Sequence, residues 1–191
     1  MPLQFFGTSG IRGIVGTELS PLLATRIGLA VATYVKGGKI IVGHDSRISS
    51  PMIESALVSG LLSGGCQVQK LGLAPTPAVA YLTKALNATA GIMITASHNP
   101  PEYNGIKIFN NDAMAYTDDR QKELEQIIKH NYFHLASWEN LVGAGYVQET
   151  NRYITMILDA VELRKQWHIV LDCGCGATGH IAPTIFRELN C

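Results

Sequence analysis

Lys39-Ile40-Ile41-Val42-Gly43-His44-Asp45-Ser46-Arg47-Ile48-Ser49-Ser50-Pro51 runs from an apolar stretch through a polar turn into a helix start. Lys39 to Val42 reads as a strand, because a short apolar run bounded by turn residues suits a strand covered on both faces. Ser50-Pro51 reads as an N-cap followed by the first helical residue. The hydroxyl accepts from an orphan N–H of the first turn, and proline gives up an N–H that would have had no partner. The same punctuation recurs at Ser20-Pro21 and Thr76-Pro77. It predicts helices over about 21–35, 51–63 and 77–86, the first two stopped by Gly37-Gly38 and Gly64-Gly65. A fourth helix follows Thr117, where Asp118 and Asp119 complement the dipole and Leu124, Ile127 and Ile128 form a buried stripe. A fifth covers about 147–165, with Tyr153, Ile157, Leu158 and Val161 on one face.

Outward from that first strand, Gln67 to Leu71, Gly91 to Thr95, Ile106 to Phe109 and His168 to Leu171 also read as strands. Strands alternating with helices predict an α/β fold: a mixed, largely parallel sheet covered by helices on both faces. Ligands of such sheets bind outside the carboxyl ends of the strands, which points to the loops after Val42, Leu71, Thr95 and Leu171. From Trp167 onward the chain looks like the opening of a second domain: a strand to Asp172, a turn over Gly174 to Gly179, and a helix over Pro183 to Leu189. A β-α start cannot bury its own faces, so either more chain follows or this piece packs onto the first unit.

Composition removes several function classes. The chain has 191 residues, 47% of them hydrophobic and only 16% charged, against a usual charged share of about 25%; general disorder is excluded. Fifteen Lys plus Arg balance fifteen Asp plus Glu, so no net field gathers nucleic acid or an anionic membrane, and neither is expected as a partner. Thr25, Arg26 and Lys36 interrupt the longest apolar candidate, which falls short of the ~18–20 residues that span a bilayer. Met1 to Gly7 lacks the basic-then-apolar pattern of a secretory signal, which makes the cytoplasm the expected compartment. Cys66, Cys173, Cys175 and Cys191 form neither a disulfide framework nor a C-x-x-C zinc spacing and are expected as structural thiols.

The densest chemistry lies in Thr95-Ala96-Ser97-His98-Asn99-Pro100-Pro101, at the end of an apolar strand. Ser97 projects from the binding edge, on a loop stiffened by two prolines. The hydrolase elbow is absent, because Thr95 and Asn99 hold its glycine positions. Phosphoryl acceptance fits better, with His98, Lys107 in Asn104-Gly105-Ile106-Lys107, and Arg12 as groups that favour dianions. The competing reading is a serine that merely bonds backbone in a turn. Gly7-Thr8-Ser9-Gly10-Ile11-Arg12-Gly13 could let backbone and Arg12 approach a phosphate, or could be a flexible terminus; it is not a Walker A loop. Asp45 and Arg47 could bind ligand, but an internal ion pair that shapes the loop is the preferred reading. His130 and His134 lack the intervening Glu of a zinc helix and are expected to be solvated. Gly174 to Gly179 matches G-x-G-x-x-G after an expected strand, which keeps a dinucleotide site as a rival; its acidic partner would fall beyond Cys191.

Together, Gly7 to Gly13, Gly43 to Arg47, Thr95 to Pro100 and Asn104 to Lys107 resemble the α-D-phosphohexomutase family, which includes phosphoglucomutase, phosphomannomutase and phosphoglucosamine mutase. The resemblance implies that residues 1–150 are a phosphoserine-bearing N-terminal domain and that 151–191 are a connecting helix and the truncated start of a second α/β domain. It implies Ser97 as phosphoryl carrier, Lys107 as general base and acid, and Arg12 beside it to lower its pKa and hold phosphate. His98 would steady the transferring group, and Thr8, Ser9 and Asn99 would bind substrate. The reaction implied moves phosphate between C1 and C6 of a hexose phosphate through a bound 1,6-bisphosphate. Mg²⁺ would take one oxygen of phosphorylated Ser97; its other ligands are absent from this chain. Such a piece needs its missing C-terminal domains or a complementing chain and is expected to be inactive alone. The alternative is a non-catalytic truncated paralogue that binds sugar phosphate or a partner subunit.

Overall fold

The structure, a computed structural model, describes residues 5–7 and 10–191. Its strands are β1 (Phe6–Gly7), β2 (Gly10–Ile14), β3 (Gly38–His44), β4 (Cys66–Leu73), β5 (Ala90–Ile94), β6 (Tyr103–Asn110) and β7 (Ala144–Tyr146). They join in one sheet in the order β1-β2-β6-β5-β3-β4-β7. Parallel pairs are β3–β4, β3–β5 and β4–β7, whereas β6 runs antiparallel to both β5 and β2, and β1 antiparallel to β2. It follows that β2, β3, β4, β5 and β7 share one direction and that β1 and β6 oppose it. The expected mixed, largely parallel sheet is therefore present.

The helices are α1 (Pro21–Val35), α2 (Ser50–Ser63), α3 (Thr76–Ala85), α4 (Asp118–His130), α5 (Thr150–Ala160) and α6 (Ala182–Glu188). Strand side chains alternate between faces, and the two faces carry separate cores. Ile40, Val42, Ile92 and Ile94 pack with Ile27 of α1, Leu57 of α2 and Ile128 of α4. Ile41 and Met93 turn the other way, onto Val79 of α3. Helices α1 and α2 approach closely at two glycines: a Cβ on Gly28 would stand 2.2 Å from the Leu57 carbonyl oxygen, and one on Gly60 2.2 Å from that of Thr25.

The three hydroxyl-proline signals place three helices but supply one cap. Ser20 Oγ accepts from Leu23 N at 3.2 Å, as expected. Ser50 instead lies inside α2, whose N-cap position is Ser49 with no side-chain cap bond, and its hydroxyl donates to Asp45 Oδ1 at 2.8 Å. Thr76 opens α3 behind Pro75 and does not cap it. Tertiary acceptors took one hydroxyl and backbone geometry set aside the other. Helix α1 ends one residue ahead of its glycines: the left-handed cap is Lys36 at φ 58°, and Gly37 follows at φ 83°.

Two expectations are corrected, and one of two open alternatives is set aside. The Gly7 to Gly13 stretch is not a flexible terminus where described: β1 and β2 pair, Phe6 and Ile11 are buried, and Phe5 N and Phe6 N donate to Glu125 Oε1 at 2.6 and 3.0 Å. The fifth helix is shorter than expected, and Val161 lies outside it, 39% exposed. Residues 168–171 form no strand, and Val170 is 99% exposed. An extended segment with no neighbour to pair leaves its backbone to water and gains no ladder. The end of the chain is tied down by α6 instead, which packs on α5 with Ile181 and Ile185 buried. Among the described residues, no helix is long and apolar enough to cross a membrane.

Candidate active site

Ser97 stands exposed just beyond the carboxyl end of β5, beside the loop that leaves the carboxyl end of β3. Its φ is +59°, in the left-handed region that an L side chain enters at a cost. Local bonds hold it there. Ser97 N donates to Thr95 Oγ1 at 2.9 Å, and the Thr95 hydroxyl donates to Asp45 Oδ2 at 2.7 Å. Asp45 also accepts from Arg47 Nε at 3.1 Å, so the expected ion pair is present. Buried Asn104 donates to Ser49 Oγ at 2.9 Å and Ser50 Oγ at 3.0 Å, fastening the start of β6 to that of α2. The turn-serine alternative is not what forms: among the described residues Ser97 Oγ has no backbone partner and lies 3.5 Å from His98 Nδ1.

The cations come from the two antiparallel strands. Arg12 lies opposite Gly105, and Lys107, two residues on, faces the same side. Arg12 Nη1 donates to Asn99 Oδ1 at 3.1 Å, joining β2 to the serine loop. Lys107 is half-buried, and that burial, with the nearby Arg12 charge second, pushes its pKa below the ordinary lysine value. Gly105 allows this closeness, since a Cβ there would meet the carbonyl oxygens of Ile11 and Thr95, both at 2.6 Å.

Two cavities that share Thr76 divide Ser97 from Lys107, and neither is lined by Arg12 or His98. Ser97, Asn99, Thr95 and Arg47 line one of about 550 Å³, and Lys107 lines another of about 310 Å³ with Tyr116 and Gln121. Thr8 and Ser9 lie outside the described residues. Gly174, Gly176 and Thr178 line the serine cavity from the far end of the chain. Without a strand over residues 168–171, Gly174 to Gly179 loses the context that a dinucleotide fingerprint requires. His130 and His134 are exposed, as expected.

These residues do not by themselves fit a Mg²⁺ site. Among the described residues no group of three His, Cys, Asp or Glu could hold a metal, and the Asp45 carboxylate is engaged by Arg47, Ser50 and Thr95. What the sequence did not disclose was the reach of Arg47 and the relay through Thr95. Their partners lie 50 residues or more away, and only a side-chain pattern at the end of β3 hinted at them.

Residues 3–135 match the family model described as phosphoglucomutase/phosphomannomutase, alpha/beta/alpha domain I. A "Probable phosphoglucosamine mutase" of Pyrococcus abyssi is 45% identical over 187 residues, covering 98% of this chain and 42% of that protein. One of Methanothermobacter thermautotrophicus is 43% identical over 189 residues, with the same two coverages. A crystal structure of a phosphoglucomutase/phosphomannomutase family protein from Burkholderia thailandensis superimposes with a TM-score of 0.86 at 28% identity, again over 98% of this chain and 42% of its own. The chain thus spans less than half the length of these relatives. With a left-handed serine at the edge of a mixed sheet and a matching model over most of its residues, the chain belongs to the phosphoglucomutase/phosphomannomutase family.

Proposed function

We propose that this chain is the phosphoserine-bearing part of a hexose-phosphate mutase, with residues 1–150 as the carrier domain and 151–191 as the connection to a further α/β unit. The observation that carries the reading is the exposed Ser97 hydroxyl, held at a left-handed φ over a cavity of about 550 Å³. In the forward step the P–Oγ bond of phosphorylated Ser97 breaks and a bond from phosphorus to a sugar hydroxyl oxygen forms. The sugar proton passes to neutral Lys107, and Ser97 Oγ leaves with the electron pair of the broken bond and takes a proton from solvent at its exposed position, the lysinium then returning its proton to solvent. The 1,6-bisphosphate then turns and returns its other phosphoryl group. A lowered Lys107 pKa supports a base that is neutral closer to physiological pH than a free lysine. Arg12, Asn99, Thr8 and Ser9 bind phosphate and sugar oxygens, and His98 steadies the group in flight.

Mg²⁺ would supply charge neutralisation when bound; a Ser97 phosphoryl oxygen would be one ligand, and the described residues offer no group of three His, Cys, Asp or Glu to complete the set. The relatives named phosphoglucosamine mutase favour an amino-hexose phosphate within the substrate class. A cytoplasmic location belongs to the same reading.

Intact-mass and peptide analysis of the full-length protein from its own cell tests this. A stoichiometric phosphate on Ser97, and loss of both phosphate and turnover in Ser97→Ala, are expected. Robust turnover of hexose 1-phosphate by Ser97→Ala would overturn the reading. The 191-residue chain alone is expected to show no measurable mutase activity.

A further inference from the structure

Arg47 comes from the loop between β3 and α2, yet its guanidinium is spent on the loop between β5 and β6. Nε donates to Asp45 Oδ2 at 3.1 Å. Nη1 donates to the carbonyl oxygens of Pro100 at 2.6 Å and Tyr103 at 3.0 Å, and Nη2 to those of Ser97 at 3.1 Å and Asn99 at 2.7 Å. A guanidinium has five N–H donors in a fixed planar fork, and each of them has a partner here. No donor remains for a substrate phosphate. The four carbonyls span the serine loop from Ser97 itself to the first residue of β6. Asp45 Oδ2 accepts from the fork and also from the Thr95 hydroxyl, whose oxygen in turn accepts from Ser97 N, while Asp45 Oδ1 accepts from Arg47 N and Ser50 Oγ. The carbonyl and the amide of Ser97 are therefore both tied, through separate bonds, to one ion pair that is itself mostly buried, with side chains 12% and 16% exposed.

We propose that Arg47, Asp45 and Thr95 form a positioning unit that sets where Ser97 Oγ stands for phosphoryl transfer, and that Arg47 does not bind substrate phosphate. This rests on Ser97 being the phosphoryl acceptor. A non-glycine residue at a left-handed φ keeps that conformation only while its surroundings hold it there, and a displacement of about 1 Å at a reacting atom costs about 100-fold in rate. Lysine keeps the charge of Arg47 but offers three donors at one point, so it cannot hold four carbonyls spread along a loop.

The test uses the full-length protein and measures the single-turnover rate of ³²P transfer from glucose 1,6-bisphosphate to Ser97, with steady-state kcat and KM beside it. Arg47→Lys is expected to slow transfer by about 100-fold and to leave KM for the sugar phosphate within about twofold. Thr95→Val, which keeps the shape and removes the hydroxyl, is expected to slow transfer by about tenfold. Thr95→Ser restores the hydroxyl and is expected to stay within about twofold of the parent. Thr95→Val and Thr95→Ser decide the matter if Arg47→Lys fails to fold. A raised KM at unchanged kcat in Arg47→Lys would make Arg47 a phosphate ligand and overturn the inference. Equal transfer rates in Thr95→Val and the parent protein would overturn it too. Ser97→Ala separates the two claims: labelling that persists in that variant removes the phosphoserine reading itself, whereas labelling that is lost there but normal in the Arg47 and Thr95 variants removes only the positioning unit.

Discussion

Lys107 and Arg12 face the same side of the sheet, and the sign of their interaction fixes a pH response. Burial disfavours the lysine's charge first and the Arg12 guanidinium disfavours it second, so Lys107 loses its proton below the ordinary value of 10.5. Activity that needs a neutral Lys107 should then rise on an alkaline limb that lies below that value. Removing the cation relieves one of the two causes. Arg12→Gln should shift the limb to higher pH without restoring it to that of a free lysine, because the burial stays. A pH profile of kcat/KM in the full-length protein checks this, and a limb that stays in place or falls would show that Arg12 does not govern Lys107. The residue types and their order made Ser97, Lys107 and Arg12 legible in the sequence. The left-handed φ of Ser97 was not, because serine has no preference for that region and only the bonds around the loop impose it.

At the scale of elements, helices α1 and α2 are joined by what their glycines omit. Ala in place of Gly ordinarily stabilises a helix interior by about 1 kcal/mol. Gly60→Ala should do the reverse here, since its Cβ would stand 2.2 Å from the Thr25 carbonyl oxygen; overpacking of this kind costs about 1–3 kcal/mol. Thermal or urea unfolding measures it, and a variant as stable as the parent would mean that the helices can separate without loss. Periodicity and the Ser-Pro and Thr-Pro signals gave the positions of α1, α2 and α3 to within a residue or so. They could not show this contact, because a glycine within a helix looks the same whether its missing Cβ faces water or a neighbouring backbone. A second tie is equally silent in sequence: Lys70 of β4 meets Glu54 of α2 at 2.9 Å and lies 4.4 Å from the ring centre of Tyr146 in β7. It holds the short edge strand β7, which the sequence did not signal at all.

For the whole molecule, the segment from residue 161 to 171 has little support from the rest. Val161, Trp167, Ile169, Val170 and Leu171 are all at least 39% exposed, and no strand covers residues 168–171. Hydrogen exchange of the 191-residue chain should find the amides of 168–171 exchanging at nearly the unprotected rate while those of Ile40 to Val42 stay protected. Protection of both would mean that something pairs with this segment. The strand expected there failed for a physical reason: a short apolar run states a preference, and the pairing that would realise it has to come from another strand. The sheet order has one more effect, on the timing of assembly. The bond from Arg12 to Asn99 closes a separation of 87 residues, and that from Arg47 to Ser97 closes 50. Closures so distant along the chain cost more loop entropy than a helical turn does, and they accompany the equally distant pairings of β2 with β6 and of β3 with β5. The bond from Ser97 N to Thr95 Oγ1 is local, whereas the remaining restraints on the serine loop need β2, β3 and β5 brought together first.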